Sequence, residues 1–172
     1  MRLTLLVGAL VACGSGDDGD GDSGETADAV TVTLELGLGA TDFGEASDGD
    51  SVTLVHGAQG GWHIDTAVRM CGGGTAVQLT AIVQVISTGE YLAGSQELDV
   101  SFRELRPAGA NCGEVAGLRA FLDDFGATLD TIRDLDGEAL LLRMEGVDSD
   151  SGATAADEVE LIAELDPVDV EV

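Results

Sequence analysis

Hydrophobic and polar residues alternate with a period of two over most of the chain beyond residue 28. The first such segment has an aliphatic residue at every second position, at Val30, Val32, Leu34 and Leu36. The same alternation recurs in residues 52–54, 62–70, 77–85, 97–103, 138–147 and 158–165. Because successive side chains of a strand point to opposite faces, each segment predicts a strand with one buried face.

One segment between these strands fits two secondary structures. Apolar residues in 118–132 are spaced as in a helical stripe, whereas those in 118–122 fit a strand equally well. Gly126 weakens a long helix. We therefore expect a strand up to about Asp123, followed by a loop.

Turn-forming residues separate the predicted strands and indicate the fold class. Gly, Asp and Ser are frequent in residues 41–50, 72–74, 87–89 and 148–152. About seven short strands joined by such turns predict an all-β domain over residues 29–172. We expect an immunoglobulin-like β-sandwich, with a jelly roll or a small barrel as the alternatives.

The segment that precedes the alternating region has the features of an exported lipoprotein. Arg2 is followed by an almost wholly apolar run from Leu3 to Val11, which has the length of a signal-peptide core and is too short to span a bilayer. The run ends in Leu10-Val11-Ala12-Cys13, which resembles the bacterial lipobox. The resemblance implies that residues 1–12 are cleaved and that Cys13 carries a diacylglycerol. An ordinary secretory signal is the alternative.

Residues 13–28 are predicted to be a disordered tether between the lipid and the domain. Gly and Ser make this stretch flexible, and repeated Asp extends it by self-repulsion. The lipid makes the membrane a partner of the chain. Gly14, not Asp, follows the lipidated cysteine, and by resemblance to the sorting rule of enteric bacteria this favours the outer membrane over the inner membrane.

The charge of the chain narrows its possible partners. Asp and Glu number 33 against 7 basic residues, all of them Arg, and the formal net charge is −26. Such a surface repels phosphate backbones, which excludes nucleic acid as a partner. Hydrophobic residues make up 44% of the chain and aromatic residues only 3%, so the core must be built from Val, Leu, Ile and Ala.

Two cysteines, Cys71 and Cys112, remain once Cys13 is assigned to the lipid. In an oxidising compartment an even pair predicts a disulfide. The bond would stabilise the domain by roughly 3–4 kcal/mol in the chain-entropy model. We expect it to fasten a Pro/Gly-rich loop, which contains Cys112, to a strand that ends at Cys71. Two reduced thiols acting as metal ligands are the alternative.

Both histidines and the only tryptophan lie in the segment from His56 to His63. Predicted strands flank it, so we expect a hairpin loop whose small and polar residues permit tight turns and whose tryptophan enters the core: Gly57, Gln59, Gly60, Gly61 and Trp62. Residues 57–63 resemble a GxQGGxH element of uncharacterised lipoproteins with a lipobox, an Asp/Gly-rich tether and a β-rich domain. That resemblance implies a fold and a location, and no activity.

Two groups of side chains are candidate metal sites. In the first, His56 and His63 would face each other across the hairpin and bind Zn²⁺ or Cu²⁺ together with Asp65. In the second, an acidic turn would bind Ca²⁺ through Asp148, Asp150 and Asp157. We prefer a structural interpretation of both, as a tight turn and as a solvated hairpin.

Motifs of common catalytic classes are missing from the sequence, including G-x-S-x-G, the P-loop and H-E-x-x-H. We therefore expect a protein that is not an enzyme and needs no cofactor. The favoured function is a structural or interaction module at the cell envelope, in contact with another envelope protein. A metal-binding lipoprotein domain is the alternative, and a hydrolase is a third hypothesis.

Overall fold

A computed structural model describes residues 30–58, 61–92, 101–123 and 132–166. The predicted signal peptide, Cys13 and the tether lie outside these ranges. Gln59, Gly60 and the loop expected after Asp123 also lie outside them.

Strands hold 62% of the described residues. In chain order they are β1 (Thr33–Leu38), β2 (Gly44–Glu45), β3 (Asp50–His56), β4 (Trp62–Cys71), β5 (Ala76–Val85), β6 (Ser101–Glu104), β7 (Arg106–Pro107), β8 (Cys112–Phe121), β9 (Ala139–Asp148) and β10 (Thr154–Leu165).

These strands form one curled mixed sheet. Its order is β2-β1-β4-β3-β10-β9-β5-β6, and β8 lies beside β4 with β7 on its far side. Among the described pairs only β3 and β10 are parallel. The prediction of an all-β chain is confirmed, whereas the curled sheet does not establish an immunoglobulin-like sandwich of about seven strands.

Strand β3 joins the two halves of the sheet. Residues 50–54 pair with β10, whereas Val55 and His56 pair with β4. The sheet folds over at this strand, so that β1 contacts β10 and β9 across the interior. The two halves therefore share one hydrophobic core.

The core consists mainly of aliphatic side chains from the inward positions of both halves, as the composition predicts. Its fully buried members include Leu36, Leu54, Ile64, Leu79, Leu140 and Leu161. Gly146 of β9 makes room for β1, because a Cβ atom at this position would lie 2.6 Å from Leu34 Cδ1. Close approach of the two halves thus depends on the missing side chain.

A β-bulge interrupts the pairing of β4 with β8. The register shifts between Thr66 and Ala67, where Gly117 is the extra residue of β8. Gly117 has φ of +71°, and a Cβ atom there would lie 2.7 Å from the carbonyl oxygen of Ala40. Its N–H donates a hydrogen bond to Gly39 O at 3.0 Å. Both the backbone conformation and the crowding favour glycine.

Two expectations about β8 have different outcomes. The predicted strand up to about Asp123 is confirmed, since β8 continues to Phe121. The placement of Cys112 in a loop is wrong, because Cys112 begins this strand. Gly113 and Gly117 interrupt the alternation of hydrophobic and polar residues in the first half of β8. Gly113 lies at a close contact, and Gly117 lies at the bulge.

Candidate functional site

The loop between β3 and β4 is a hairpin, as the sequence predicts. The N–H of Gly57 donates to Gly61 O at 2.9 Å, and Gly61 has φ of +82°. His56 lies opposite Trp62 in the register, and the two rings stack with centroids 4.7 Å apart. Because Trp62 is buried in the core, the exposed His56 ring covers a core side chain.

His63 is buried on the opposite face of β4. Its Nε2 lies 3.4 Å from Asp65 Oδ1, and its ring centroid lies 6.0 Å from that of Phe121. Within the described part of the chain, Nδ1 has no hydrogen-bond partner. Burial lowers the pKa of His63 below its ordinary value of 6.5, while the Asp65 carboxylate opposes the shift. Burial thus favours the neutral imidazole.

This arrangement does not assemble the predicted site of His56, His63 and Asp65. Directly paired residues of neighbouring strands share a face, whereas successive residues of one strand alternate. His56 shares a face with Trp62, so His63 and Asp65 lie on the other side of the sheet. In the described ranges no three His, Cys, Asp or Glu side chains are grouped closely enough to hold a metal ion.

A buried carboxylate holds the start of β4 against the end of β8. Asp123 Oδ1 accepts a hydrogen bond from the N–H of Trp62 at 2.9 Å. The N–H of Leu122 donates to Trp62 O at 2.8 Å. Asp123 is 5% exposed, so its carboxylate satisfies a buried backbone donor that water does not reach.

A second buried carboxylate, Asp148, organises the turn after β9. Its Oδ1 accepts from the N–H of Gly74 at 2.7 Å, and its Oδ2 accepts from the N–H of Ser151 at 2.8 Å. Burial alone would raise the pKa of Asp148, but hydrogen bonds from Ser151 and Gly74 outweigh it and hold the pKa below the ordinary value of 3.8. The carboxylate fastens the β4–β5 loop to the β9–β10 turn.

The structure does not bring the three predicted calcium ligands together. Asp150 lies beside Asp148, against Gly74, where an added Cβ atom would meet its carboxylate. Asp157 instead lies within β10, and its Oδ2 accepts a hydrogen bond from the N–H of Leu36 at 2.9 Å. The carboxylates of Asp148 and Asp157 thus accept hydrogen bonds from the protein itself.

The predicted disulfide between Cys71 and Cys112 is confirmed. The two residues are paired in the register of β4 and β8, with an S–S distance of 2.05 Å and a Cα–Cα distance of 4.0 Å. The bond therefore joins neighbouring strands directly. Its sulfur atoms are not thiol ligands for a metal.

A cavity of about 320 Å³ opens where β8 approaches β5 and β6, and we name it the seam cavity. In the described ranges β8 pairs with β4 and β7, and β6 pairs with β5. No described strand pairing closes this seam. Its lining includes the apolar side chains of Leu79, Ala81, Leu118, Phe121 and Met144.

Two arginines, Arg103 and Arg119, also line the seam cavity. Arg119 is exposed, and it forms no ion pair with a described carboxylate. Arg69 provides a contrast, because it is held between Glu35 at 2.9 Å and Glu114 at 2.6 Å. Arg119 lies opposite Asp65 in the register of β4 and β8, so the two side chains share a face of the sheet.

A second cavity of about 300 Å³ has an apolar floor and an acidic rim. Carboxylates of Glu90, Asp134 and Glu138 stand at its edge. Because acidic side chains occur along the whole chain, this rim does not distinguish the cavity from the rest of the surface.

The sequence pattern does not predict the seam cavity, because its residues come from strands far apart in the chain. The only sequence feature that pointed to these residues is the low number of basic side chains. With 7 basic residues against 33 acidic ones, arginines at the polar positions of two predicted strands stand out. Residues 103 and 119 occupy such positions, but their proximity depends on how the sheet curls.

Comparison with known proteins gives no assignment: no protein-family description matches the chain, and no curated protein is similar to it. Among the described residues, no helix is long and apolar enough to cross a membrane.

Proposed function

We propose that this chain is an exported, lipid-anchored protein of the bacterial cell envelope whose β-domain is a non-enzymatic interaction module. The observation that carries the proposal is the disulfide between Cys71 and Cys112. Disulfides persist in oxidising compartments and are rare in the cytosol. A disulfide-bonded domain that follows a lipobox sequence is the organisation expected of an envelope lipoprotein.

The sequence outside the described ranges agrees with this proposal. Leu10-Val11-Ala12-Cys13 supplies the lipobox, and residues 13–28 supply a hydrophilic tether. A mature lipoprotein carries at least two acyl chains, which suffice for stable anchoring. The tether would hold the domain away from the bilayer, and its negative charge would keep it from anionic lipid headgroups.

The finer architecture is also part of the proposal. The halves of the curled sheet pack against a common core, with β1 contacting β10 and β9. This layering favours a sandwich-type module of the immunoglobulin-like class, in which β3 passes from one sheet to the other. Sandwiches of this kind commonly present loops and edges to partner proteins.

The roles of the buried acids support a non-enzymatic module. Asp123 and Asp148 accept hydrogen bonds from backbone N–H groups, and they connect segments distant in sequence. A general acid or base needs a labile proton near the working pH, whereas the pKa of Asp148 is held below its ordinary value by these bonds.

Metabolic labelling in a bacterial host tests the anchor. The full chain is expressed with an alkyne analogue of palmitate, and the mature protein is analysed by mass spectrometry. We expect residues 1–12 to be absent, Cys13 to carry lipid, and the protein to sediment with outer membranes. Cys13→Ala should remove the label, whereas Cys112→Ala, which keeps Cys13, should retain it.

Unlabelled Cys13 with residues 1–12 still attached would contradict the anchor. The interaction role has its own test, which is crosslinking in intact cells followed by purification from solubilised envelopes. Enrichment of one envelope protein over the Cys13→Ala control is expected. Equal recovery of every protein from both strains would contradict a specific partner.

A further inference from the structure

The cavity of about 300 Å³ with the acidic rim combines two kinds of surface, and we name it the end cavity. Aliphatic side chains form most of its lining: Val85, Leu92, Leu122, Ile132 and Leu135. Its accessible lining is mainly apolar, unlike that of the seam cavity. Carboxylates occur along the whole chain, so the aliphatic lining beneath them is what sets this place apart. It offers contact area to an apolar body.

The carboxylates of Glu90, Asp134 and Glu138 stand at the opening of the end cavity. No ion pair between described residues includes any of them. Glu138 Oε2 accepts a hydrogen bond from Ser87 Oγ at 2.8 Å, whereas Glu90 and Asp134 are exposed. Arg133, in the same turn as Asp134, has an interaction of its own and is not part of the lining. The rim thus keeps acceptor oxygens for a cation outside the chain.

The spacing of these carboxylates favours an organic cation over a metal ion. In the ranges that the structure describes, no three His, Cys, Asp or Glu side chains are close enough together to hold a metal ion. An organic ammonium needs no such convergence, because each carboxylate contributes to the negative potential at the opening. The net charge of −26 adds to that potential, so a cation is favoured over a neutral or anionic ligand.

The order of the two surfaces fixes the orientation of the ligand. Val85, Leu122 and Ile132 are buried, whereas the rim residues Glu90 and Asp134 are exposed. The apolar body therefore enters first, and the ammonium stays at the opening. A lysine side chain of a partner protein has the opposite order, because its ammonium is the tip that would enter first. An ammonium against the aliphatic lining would lose its water without gaining an acceptor, so such a side chain is disfavoured.

The end cavity lies far from the point where the predicted tether enters the domain. A Cβ atom at Gly73 would contact both Val32 and Asp148, which places the first described residues beside the end of β9. Glu138, at the cavity, precedes Ala139, the first residue of β9. A strand of 10 residues spans about 30 Å. An anchored chain would therefore present the end cavity away from the bilayer.

We infer that the end cavity binds a small organic monoammonium with an aliphatic body. The body lies against Leu92, Leu122 and Ile132, and the ammonium lies at the opening beside Asp134 and Glu138. The volume of about 300 Å³ is at the small end of ligand pockets, which range from about 300 to 1,000 Å³, so the body is short. The inference goes beyond the proposed function, because it adds a small-molecule ligand to a module that contacts another protein.

Isothermal titration calorimetry with n-hexylammonium tests the inference. The full chain is placed in zwitterionic nanodiscs, and empty nanodiscs provide the reference. A salt concentration of about 0.15 M screens the diffuse attraction of cations to the acidic surface. We expect saturable binding of one equivalent.

Three analogues separate the contributions of the charge, the body and their order. 1-Hexanol keeps the body and loses the charge, and ethylammonium keeps the charge and shortens the body. We expect each to bind at least about tenfold more weakly than n-hexylammonium. Nα-acetyllysine methylamide has its ammonium at the tip of the side chain, and we expect it to bind as weakly as ethylammonium.

A pair of charge variants locates the ammonium. Asp134→Asn combined with Glu138→Gln should weaken the binding of n-hexylammonium at least about fivefold. Glu45→Gln combined with Glu160→Gln is the matched control, because it removes the same charge at two exposed acids outside the lining. The control should keep its affinity within about twofold of the parent. Thermal unfolding of each variant shows whether the domain remains folded.

Methyl NMR locates the body. Ile132 lines the end cavity, whereas Ile82 of β5 lies outside it. With the isoleucine δ1-methyl groups labelled, n-hexylammonium should shift the signal of Ile132 and leave that of Ile82 unchanged. Ile132→Val and Ile82→Val each remove one signal and so assign the two.

Any of four results would overturn the inference: no saturable binding, equal affinity for any of the three analogues, full affinity in a folded variant without the carboxylates of Asp134 and Glu138, or an Ile132 signal that does not move. The mass of Cys13 is measured on the same preparation. Binding without lipid would contradict the anchor and support the cavity, and in that case the titration is carried out in buffer. Lipid without binding would contradict the cavity assignment alone.

Discussion

The carboxylate of Asp157 accepts a hydrogen bond from the backbone N–H of Leu36, with Oδ2 and N 2.9 Å apart. The two residues are 121 positions apart in sequence and belong to β10 and β1, which lie in different halves of the curled sheet. β1 has β2 and β4 as its strand partners. The carboxylate therefore connects the two halves at a place where no pairing between the described strands does.

Removal of this carboxylate should weaken the contact between the halves. We expect Asp157→Ala to lower the free energy of unfolding by about 1–3 kcal/mol, because the N–H of Leu36 loses its partner. Asp157→Asn keeps an acceptor oxygen and should cost less. Urea unfolding measures both, and Glu160→Ala, on the exposed face of the same strand, should stay within about 0.5 kcal/mol of the parent. Equal losses in all three variants would contradict the role of Asp157.

Asp148 should make the free energy of unfolding depend on pH in the acidic range. Its pKa in the folded state lies below the ordinary value of 3.8, so its contribution is present above that value and is lost as the pH falls through the folded pKa. Asp148→Ala should lower stability at pH 7 and flatten the acid limb of the stability curve. Urea unfolding from about pH 7 to pH 2 measures this. Glu45→Ala, at an exposed position, is the control. If the acid limb of Asp148→Ala were as steep as that of the parent, the pH dependence would not belong to Asp148.

His63 should add a pH dependence in a higher range. Burial lowers its folded pKa below 6.5, so the unfolded chain takes up the proton first. Stability is therefore present above the unfolded pKa and is lost as the pH falls below it. Between about pH 7 and pH 5, His63→Gln should flatten the decline, whereas His56→Gln, at an exposed histidine, should preserve it. If chemical denaturation showed a flattened decline in His56→Gln and an unchanged decline in His63→Gln, the assignment of this pH dependence to His63 would be contradicted.

The disulfide should stabilise the fold because it restricts the conformations of the unfolded chain. Cys71 and Cys112 are 41 positions apart, and replacing both with Ala should lower the free energy of unfolding by about 3–4 kcal/mol in the chain-entropy model. A reductant should destabilise the parent and leave the double variant unchanged. If the reductant lowered the melting temperature of both proteins equally, the effect would not belong to this bond.

Two glycines with nearly the same backbone conformation allow the cost of backbone strain to be measured separately from the cost of crowding. Gly117 and Gly152 have φ of +71° and +73°, but only Gly117 is crowded, by Ala40 O at 2.7 Å. Gly152→Ala should cost roughly 1 kcal/mol from the left-handed conformation alone. Gly117→Ala should cost at least about 1 kcal/mol more, since the bulge must move. Equal losses in urea unfolding would mean that the contact with Ala40 relaxes freely.

Local alternation made the strands predictable. The aliphatic residues at every second position of residues 77–85 become β5, and their inward positions are buried. β2 and β7 have two residues each, too few for a period to show. In β8, glycine at the bulge interrupts the pattern, which is why the start of this strand was predicted as a loop.

The candidate sites were less predictable, because they depend on which strands become neighbours. Asp157 was assigned to a turn as a calcium ligand, although it has the same parity as Val159 and Leu161, and this parity points it inward. His56 was paired with His63, but the register places it on Trp62. The seam cavity depends on the curl of the whole sheet, which no local pattern encodes.

The parallel pairing of β3 with β10 affects when this domain can form. Residues 50–54 find their hydrogen-bond partners only at residues 161–165. Such distant contacts require loop closure before they stabilise the chain, so folding is slow compared with that of locally paired proteins. A chain that emerges in order cannot join its two halves until most of its length is present.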